Sequence, residues 1–251
     1  MKILKKKYLN ESLSKEINEY GFIRRGGAFF RIQGDGVLQV IKFEYERVME
    51  EYDLSVGLFS LYGELLQQWF TSGGCIPRYS VVNFINERNP IISESRNDVV
   101  YERMISPEEQ IEILIDKGVP WLDEIKTQRQ LAEGICWFDK QDGKEVLWND
   151  DLKIAPFLAS EQKNKAIRVI SAILQQHLPV IYKLPPGRNE WPELEWQDED
   201  IHRYEKLFPG KDEKFLNLYR LIKREDEEEI REYLMKNYNR NMQYAAFCRK
   251  K

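Results

Sequence analysis

Three cysteines and two histidines are the residues of this chain best suited to nucleophilic, acid–base or metal chemistry. Cys75, Cys136 and Cys248 stand far apart, and none has the spacing of a redox or metal-binding Cys-x-x-Cys pair. His177 and His202 have no second histidine or cysteine at helical or turn spacing. A structural zinc needs four nitrogen or sulfur ligands close together, so the sequence predicts no metal and no cofactor. A thiol–imidazole pair, Cys75 with His177 or His202, stays open, because distance along the chain does not set distance in space. Asp198-Glu199-Asp200 lacks both the spacing and the hinge glycine of a calcium loop and reads as a solvated helix start. Gly26-Gly27, Gly34-Asp35-Gly36 and Gly73-Gly74 continue into neither a phosphate loop nor a dinucleotide fingerprint, and each reads as a turn or bulge. There is no nucleophile-elbow motif. With 42 Asp and Glu, no pair of carboxylates can be singled out for hydrolysis.

One constellation invites binding. Arg24, Arg25, Arg31, Gln39 and Lys42 fall on the first strands, interleaved with Phe22, Phe29, Phe30 and Phe43. An antiparallel sheet can leave one face in water, and arginine with aromatic rings is the composition of interface hot spots. The competing reading makes the aromatics core and the basic residues ordinary surface.

The elements that would position these residues are legible in outline. Leu9, Leu13, Ile17 and Tyr20 share a face of a helix over 10–20, which Asn10 or Ser12 would cap and Gly21 would end. Strands follow at 22–24, 28–33 and 37–45, separated by glycine turns of the hairpin type. In the last of these, Gln39, Ile41, Phe43 and Tyr45 share one face, and Leu38, Val40, Lys42 and Glu44 the other. Further β-like runs lie at 54–58 and 79–85, with a loop at 71–77 between them; 62–70 is ambiguous, its Leu65, Leu66, Trp69 and Phe70 suiting a helix in a short segment, and 88–98 reads as polar loop.

Ser106-Pro107-Glu108-Glu109 opens a helix, which Gly118 and Pro120 should end. A second helix is expected from Trp121 through Ile135, and a turn at Asp142-Gly143. Ser160 should start another helix with Ala166, Ile167, Val169, Ile170, Ile173 and Leu174 inward, closed by Pro179. After a linker at Leu184-Pro185-Pro186-Gly187 come closing helices at 198–208, 212–224 and 226–248. The last two read as a hairpin burying Phe215, Leu218, Leu221 and Ile222 against Ile230, Tyr233, Leu234 and Tyr238. Its acidic tip, 225–229, suits a helix N-terminus.

The stretch from Tyr20 to Arg31, Tyr-Gly-Phe-Ile-Arg-Arg-Gly-Gly-Ala-Phe-Phe-Arg, with Val37-Leu38-Gln39-Val40-Ile41-Lys42-Phe43-Glu44, resembles a bacterial family catalogued as domain of unknown function 4304. That family opens with a helix. A Gly-Phe-basic-basic-Gly strand pair ending in two aromatics and Arg follows, then a strand of Gln-Val-Ile-x-Phe-Gln flavour. Glu44 stands here where the pattern has Gln. The resemblance covers about the first 60 to 135 residues and not the helices from about Ser160. It implies an α+β fold and brings no catalytic residue with it.

A hydrophobic content of 42% with 12% aromatics is enough to build a core and argues against disorder. A net charge of −4, with basic runs no longer than Lys5-Lys6-Lys7, argues against general nucleic-acid binding. There is no apolar signal segment and no run near the roughly 20 residues of a membrane helix, so a cytoplasmic protein without membrane association is expected. The odd, scattered cysteines fit a reducing compartment. The predicted class is α+β: an antiparallel region over 1–105 with flanking helices, then a mainly helical region over 106–251. The second region either extends the first core or forms a subdomain. The functional expectation is a non-enzymatic binding protein of bacterial type whose partner is another protein. The alternative is an enzyme with a cysteine- or carboxylate-based site.

Overall fold

The computed structural model describes residues 2–46, 51–64, 79–84, 105–141, 150–175 and 198–245. Leu9, Leu13 and Ile17, each four residues apart, form the buried stripe of helix α1 (Lys2–Ile17). The helix starts well before Asn10 and Ser12, so neither caps it, and Asn10 is an interior residue at 3% exposure. Lysine and leucine, good helix formers, carry the helix back through the basic run. A 3₁₀ turn (Asn18–Tyr20) ends at Gly21, whose φ of 83° is left-handed and whose N–H donates to the Asn18 carbonyl at 3.1 Å.

Five antiparallel strands follow in simple meander order: β1 (Ile23–Arg25), β2 (Ala28–Gln33), β3 (Val37–Glu46), β4 (Glu51–Ser60) and β5 (Tyr79–Ser80). The glycine turns lie where the sequence predicts them, with positive φ at Gly26, Gly34 and Gly36. The β2–β3 register runs from Ala28 opposite Lys42 to Gln33 opposite Val37, and β3–β4 from Val37 opposite Ser60 to Glu46 opposite Glu51. β5 is shorter than expected and gives way to a 3₁₀ turn (Val81–Phe84). Beyond its two residues the Gln110 amide takes over, accepting from Leu54 N at 2.5 Å and donating to the Tyr52 carbonyl at 3.4 Å.

Both sheet faces are covered. On one, Phe29, Ile41, Phe43, Leu54, Val56 and Leu58 pack with α1 and the helices after Ser106. On the other, Ala28, Phe30, Leu38, Val40, Phe59 and Leu61 meet Tyr238, Met242 and Ala245 of the last helix. β4 is therefore buried on both sides from Leu54 to Ser60 instead of alternating.

α2 (Pro107–Ile113) opens as read, with a capping box: Ser106 Oγ accepts from Glu109 N, and Glu109 Oε2 accepts from Ser106 N. It does not stop at Gly118. A π turn (Leu114–Gly118), in which Val119 N–H donates to the Leu114 carbonyl, leads straight into α3 (Val119–Glu124). Proline lacks the N–H for the preceding turn and crowds its carbonyl; the wider turn before Pro120 absorbs that misfit. Gly118 fits because a Cβ there would lie 2.9 Å from Leu114 Cδ1. The expected single helix over 121–135 is broken at Ile125, and α4 (Gln128–Gln141) resumes after it.

α4 contributes Leu131 and Ile135 to the core under the sheet, and Ala132 to the helical core. α5 (Asp150–Ala159) comes before the predicted Ser160 start. Ser160 closes that helix, its Oγ donating to the Pro156 carbonyl at 2.7 Å, and α6 (Lys163–Gln175) begins three residues later. α7 (Asp198–Leu207), α8 (Glu213–Lys223) and α9 (Glu227–Ala245) complete the described chain. Ile170, Leu174, Tyr204, Tyr219, Ile222, Ile230 and Leu234 build the helical core with Phe157 and Leu158. Asp226 caps α9 by accepting from Glu229 N at 3.0 Å, so the acidic tip has its structural role. Tyr238 leaves the expected hairpin core for the sheet face. Segments 71–77, 88–98, 142–143 and 184–187, Pro179, and 65–70 of the ambiguous run lie outside the described residues.

Candidate functional site

The five residues proposed as one exposed patch are divided by the sheet. Arg31 and Gln39 lie opposite each other on β2 and β3, on the face that α1, α3 and α4 cover, and are 7% and 0% exposed. Arg31 Nη1 reaches the Tyr20 carbonyl at 2.9 Å and Asp123 Oδ1 at 2.7 Å, and the guanidinium stacks over Phe22 at 4.3 Å. Gln39 Nε2 donates to the Leu122 carbonyl at 2.6 Å and to Ile125 at 3.3 Å. Burial pulls the Arg31 pKa below its ordinary value, and the Asp123 carboxylate opposes that shift. These two residues tie the sheet to the 3₁₀ turn after α1 and to the α3–α4 break; they are not a surface.

Lys42 lies on the opposite face, nearly buried, with Nζ 2.8 Å from Glu44 Oε1. Ser80 Oγ and Ser55 Oγ donate to Asp53 beside it, at 2.8 and 3.3 Å. Lys6 of α1 approaches this charged row. Its pKa is lowered by burial first and by the Lys42 charge second. Arg24 and Arg25 stay exposed on β1, the sheet edge, Arg24 5.9 Å from the Phe29 ring centroid. Charges on a short edge strand deter pairing with other chains.

Of the residues with chemical potential, Cys75, Cys248 and His177 lie outside the described residues. Cys136 is half-buried on α4, and His202 is exposed on α7. Among the described residues no three His, Cys, Asp or Glu side chains are grouped so as to hold a metal ion.

A different site comes into view between α1 and α2. Ser12, Lys15 and Glu16 of α1 face Glu108, Ile111 and Glu112 of α2 and Ile115 and Asp116 of the π turn across a groove of about 600 Å³. Ile111 is buried and Ile115 half-buried, so they form an apolar floor. Glu16, Glu108, Glu112 and Asp116 are exposed on the rim, with Lys15 the single cation among the described lining residues. None of these five side chains makes an ion pair with another described residue. Elsewhere charges do pair: Arg31 with Asp123, Lys42 with Glu44, Arg220 with Glu205.

The groove follows from local structure. Glu108 and Glu112 are four apart and lie along one ridge of α2, with Ile111 and Ile115 on the adjacent ridge. The π turn adds a residue to the turn after them and sits at the end of the groove; such turns recur at functional sites. The sequence carried a signal for it, the four-residue acidic spacing beside a four-residue isoleucine spacing. Nothing in the sequence alone set α1 against that face.

Comparison with protein-family models, curated proteins and solved structures found no match. No described helix is long and apolar enough to cross a membrane.

Proposed function

We propose that this chain is a non-enzymatic binding protein that engages another protein through the α1–α2 groove. The observation that carries the reading is the composition of the groove: four carboxylates without ion-pair partners among the described residues, around an isoleucine floor. An apolar centre with a charged rim is the anatomy of a protein interface. Four like charges held around one groove repel one another, and a cationic partner would relieve that repulsion. The groove replaces the sheet patch as the surface on which the interaction expectation rests, since Arg31 and Gln39 are internal.

The test is comparative capture with the full chain, wild type against the doubly substituted Glu112→Lys/Asp116→Lys. Both residues are exposed, so the variant should keep the fold, which circular dichroism checks. The reading expects one protein retained in stoichiometric amount by the wild type and released by the variant. Identical retention by both would remove the groove from the interaction.

A further inference from the structure

We infer that the occupant of the groove is an amphipathic helix of a partner protein, with apolar anchors on one face and lysine or arginine along the flank that faces α2. This rests on the interaction reading above and goes further, naming the secondary structure and charge of the docking segment.

First, the groove is walled by two helices, whose backbone N–H and C=O groups are spent within their own turns. An extended segment laid over Ile111 and Ile115 would bring unpaired backbone groups against an apolar floor with no strand edge to receive them, which is costly. A helix brings its backbone bonds already made and presents only side chains, the helix-in-groove mode of recognition.

Second, the dimensions fit. Glu108 to Asp116 spans eight residue steps, about 12 Å of helical rise, close to two turns of a partner helix. Two turns present anchors at i, i+4 and i+7, enough to cover both isoleucines.

Third, the charges select the partner. Three acids, Glu108, Glu112 and Asp116, stand on the α2 side, while α1 sets Glu16 beside Lys15, so the flank of the incoming helix that faces α2 must be cationic. An acidic helix would meet four carboxylates against one lysine and be rejected.

The probe is a synthetic helical peptide of leucine and lysine, with Leu at i, i+4 and i+7 of each repeat. Two controls are a peptide of the same composition with the amphipathic order scrambled, and a leucine–glutamate counterpart. Binding to the full chain is followed by fluorescence anisotropy. The site is located by hydrogen exchange. Supporting results are binding of the first peptide at least tenfold tighter than of either control, protection of 12–16 and 108–116, and a loss of tenfold or more in both Glu112→Lys/Asp116→Lys and Ile115→Gln. Equal affinity for the scrambled peptide would reduce the groove to a charge effect and overturn the helix. So would unchanged binding by the variants, or protection elsewhere. A concentration-dependent dimer in sedimentation that Glu112→Lys dissolves would assign the groove to a second copy instead. If a captured partner is released by Glu112→Lys/Asp116→Lys while the peptide fails, the helix assignment falls and the interaction reading stands; if neither binds, both fall.

Discussion

Arg31 and Gln39 are joined across β2 and β3 by two hydrogen bonds to one oxygen: Gln39 Oε1 accepts from Arg31 Nε at 2.8 Å and from Nη2 at 2.6 Å. The geometry fixes the amide orientation, since its oxygen faces only donors and its nitrogen only the Leu122 and Ile125 carbonyls. Elements far apart in sequence are thereby held to the sheet by a satisfied polar network.

Truncating one partner strands the other. Arg31→Met leaves Gln39 Oε1 buried without its donors, a cost of about 1–3 kcal/mol. Gln39→Leu leaves part of a buried guanidinium unpaired and should cost at least as much. The double variant should be less damaged than the sum of the two, with a coupling of about 0.5–3 kcal/mol in a urea-unfolding cycle. Strict additivity would show that the pair acts as two independent residues.

Gly34 should be among the least replaceable residues of the hairpin. It has a φ of +40°, and a Cβ there would overlap the Lys126 backbone carbonyl, which also accepts from Asp35 N at 3.1 Å. Gly26 has a φ of +62° but open space around it. Gly26→Ala should therefore cost only the backbone strain, about 1 kcal/mol, while Gly34→Ala costs clearly more because backbone must move. Thermal unfolding of the two variants makes the comparison, and equal losses would mean that the contact with Lys126 is unimportant.

The contrast between what the residues announce and what they hide is physical. The hairpin from 23 to 46 is legible because glycine turns and two-residue alternation are local signals. Alternation correctly put Gln39 with Ile41 and Phe43, but it cannot say which face is covered, and the carbonyls that satisfy Gln39 lie at 122 and 125. Gly118 and Pro120 read as a stop because a π turn has no sequence signature separate from a helix end. Ser160 looked like a cap because serine closing one helix and serine opening another are locally alike. The α1–α2 groove was missed for the same reason as the buried arginine: its walls are about a hundred residues apart in sequence, and only packing brings them together.

Tyr62 offers a pH test. Its hydroxyl donates to Asp35 Oδ1 at 3.1 Å, and its ring stacks on Tyr238 at 5.0 Å between centroids. Burial first, then the Asp35 charge and hydrogen bond, push its pKa up to about 12. The unfolded phenol loses its proton near 10. Above that pH the unfolded state binds fewer protons than the folded one, so this contribution, complete below pH 10, is lost as pH rises to about 12. Tyr62→Phe should be less stable than wild type at pH 8 and should show a shallower alkaline decline, measured by urea unfolding from pH 8 to 12. Tyr204 and Tyr233 are raised as well, so part of the decline remains. An unchanged slope would place the Tyr62 phenol in contact with solvent.

The rim of the groove should be destabilising to the chain that carries it. Glu108 and Glu112 are like charges four residues apart, worth on the order of 0.2–0.5 kcal/mol of repulsion, and Asp116 and Glu16 add to the field. Glu112→Gln is therefore expected to raise the Tm at low salt. The gain should vanish near 1 M salt, where screening reaches about 3 Å. Glu205→Gln, which removes the partner of Arg220 at 2.7 Å, should shift the Tm the other way or not at all. If Glu112→Gln lowers the Tm at low salt, the rim carboxylates are stabilising and the repulsion argument fails. If the gain appears, the same substitution should weaken the leucine–lysine peptide, because the repulsion it relieves in the free chain is what a basic helix would relieve on binding.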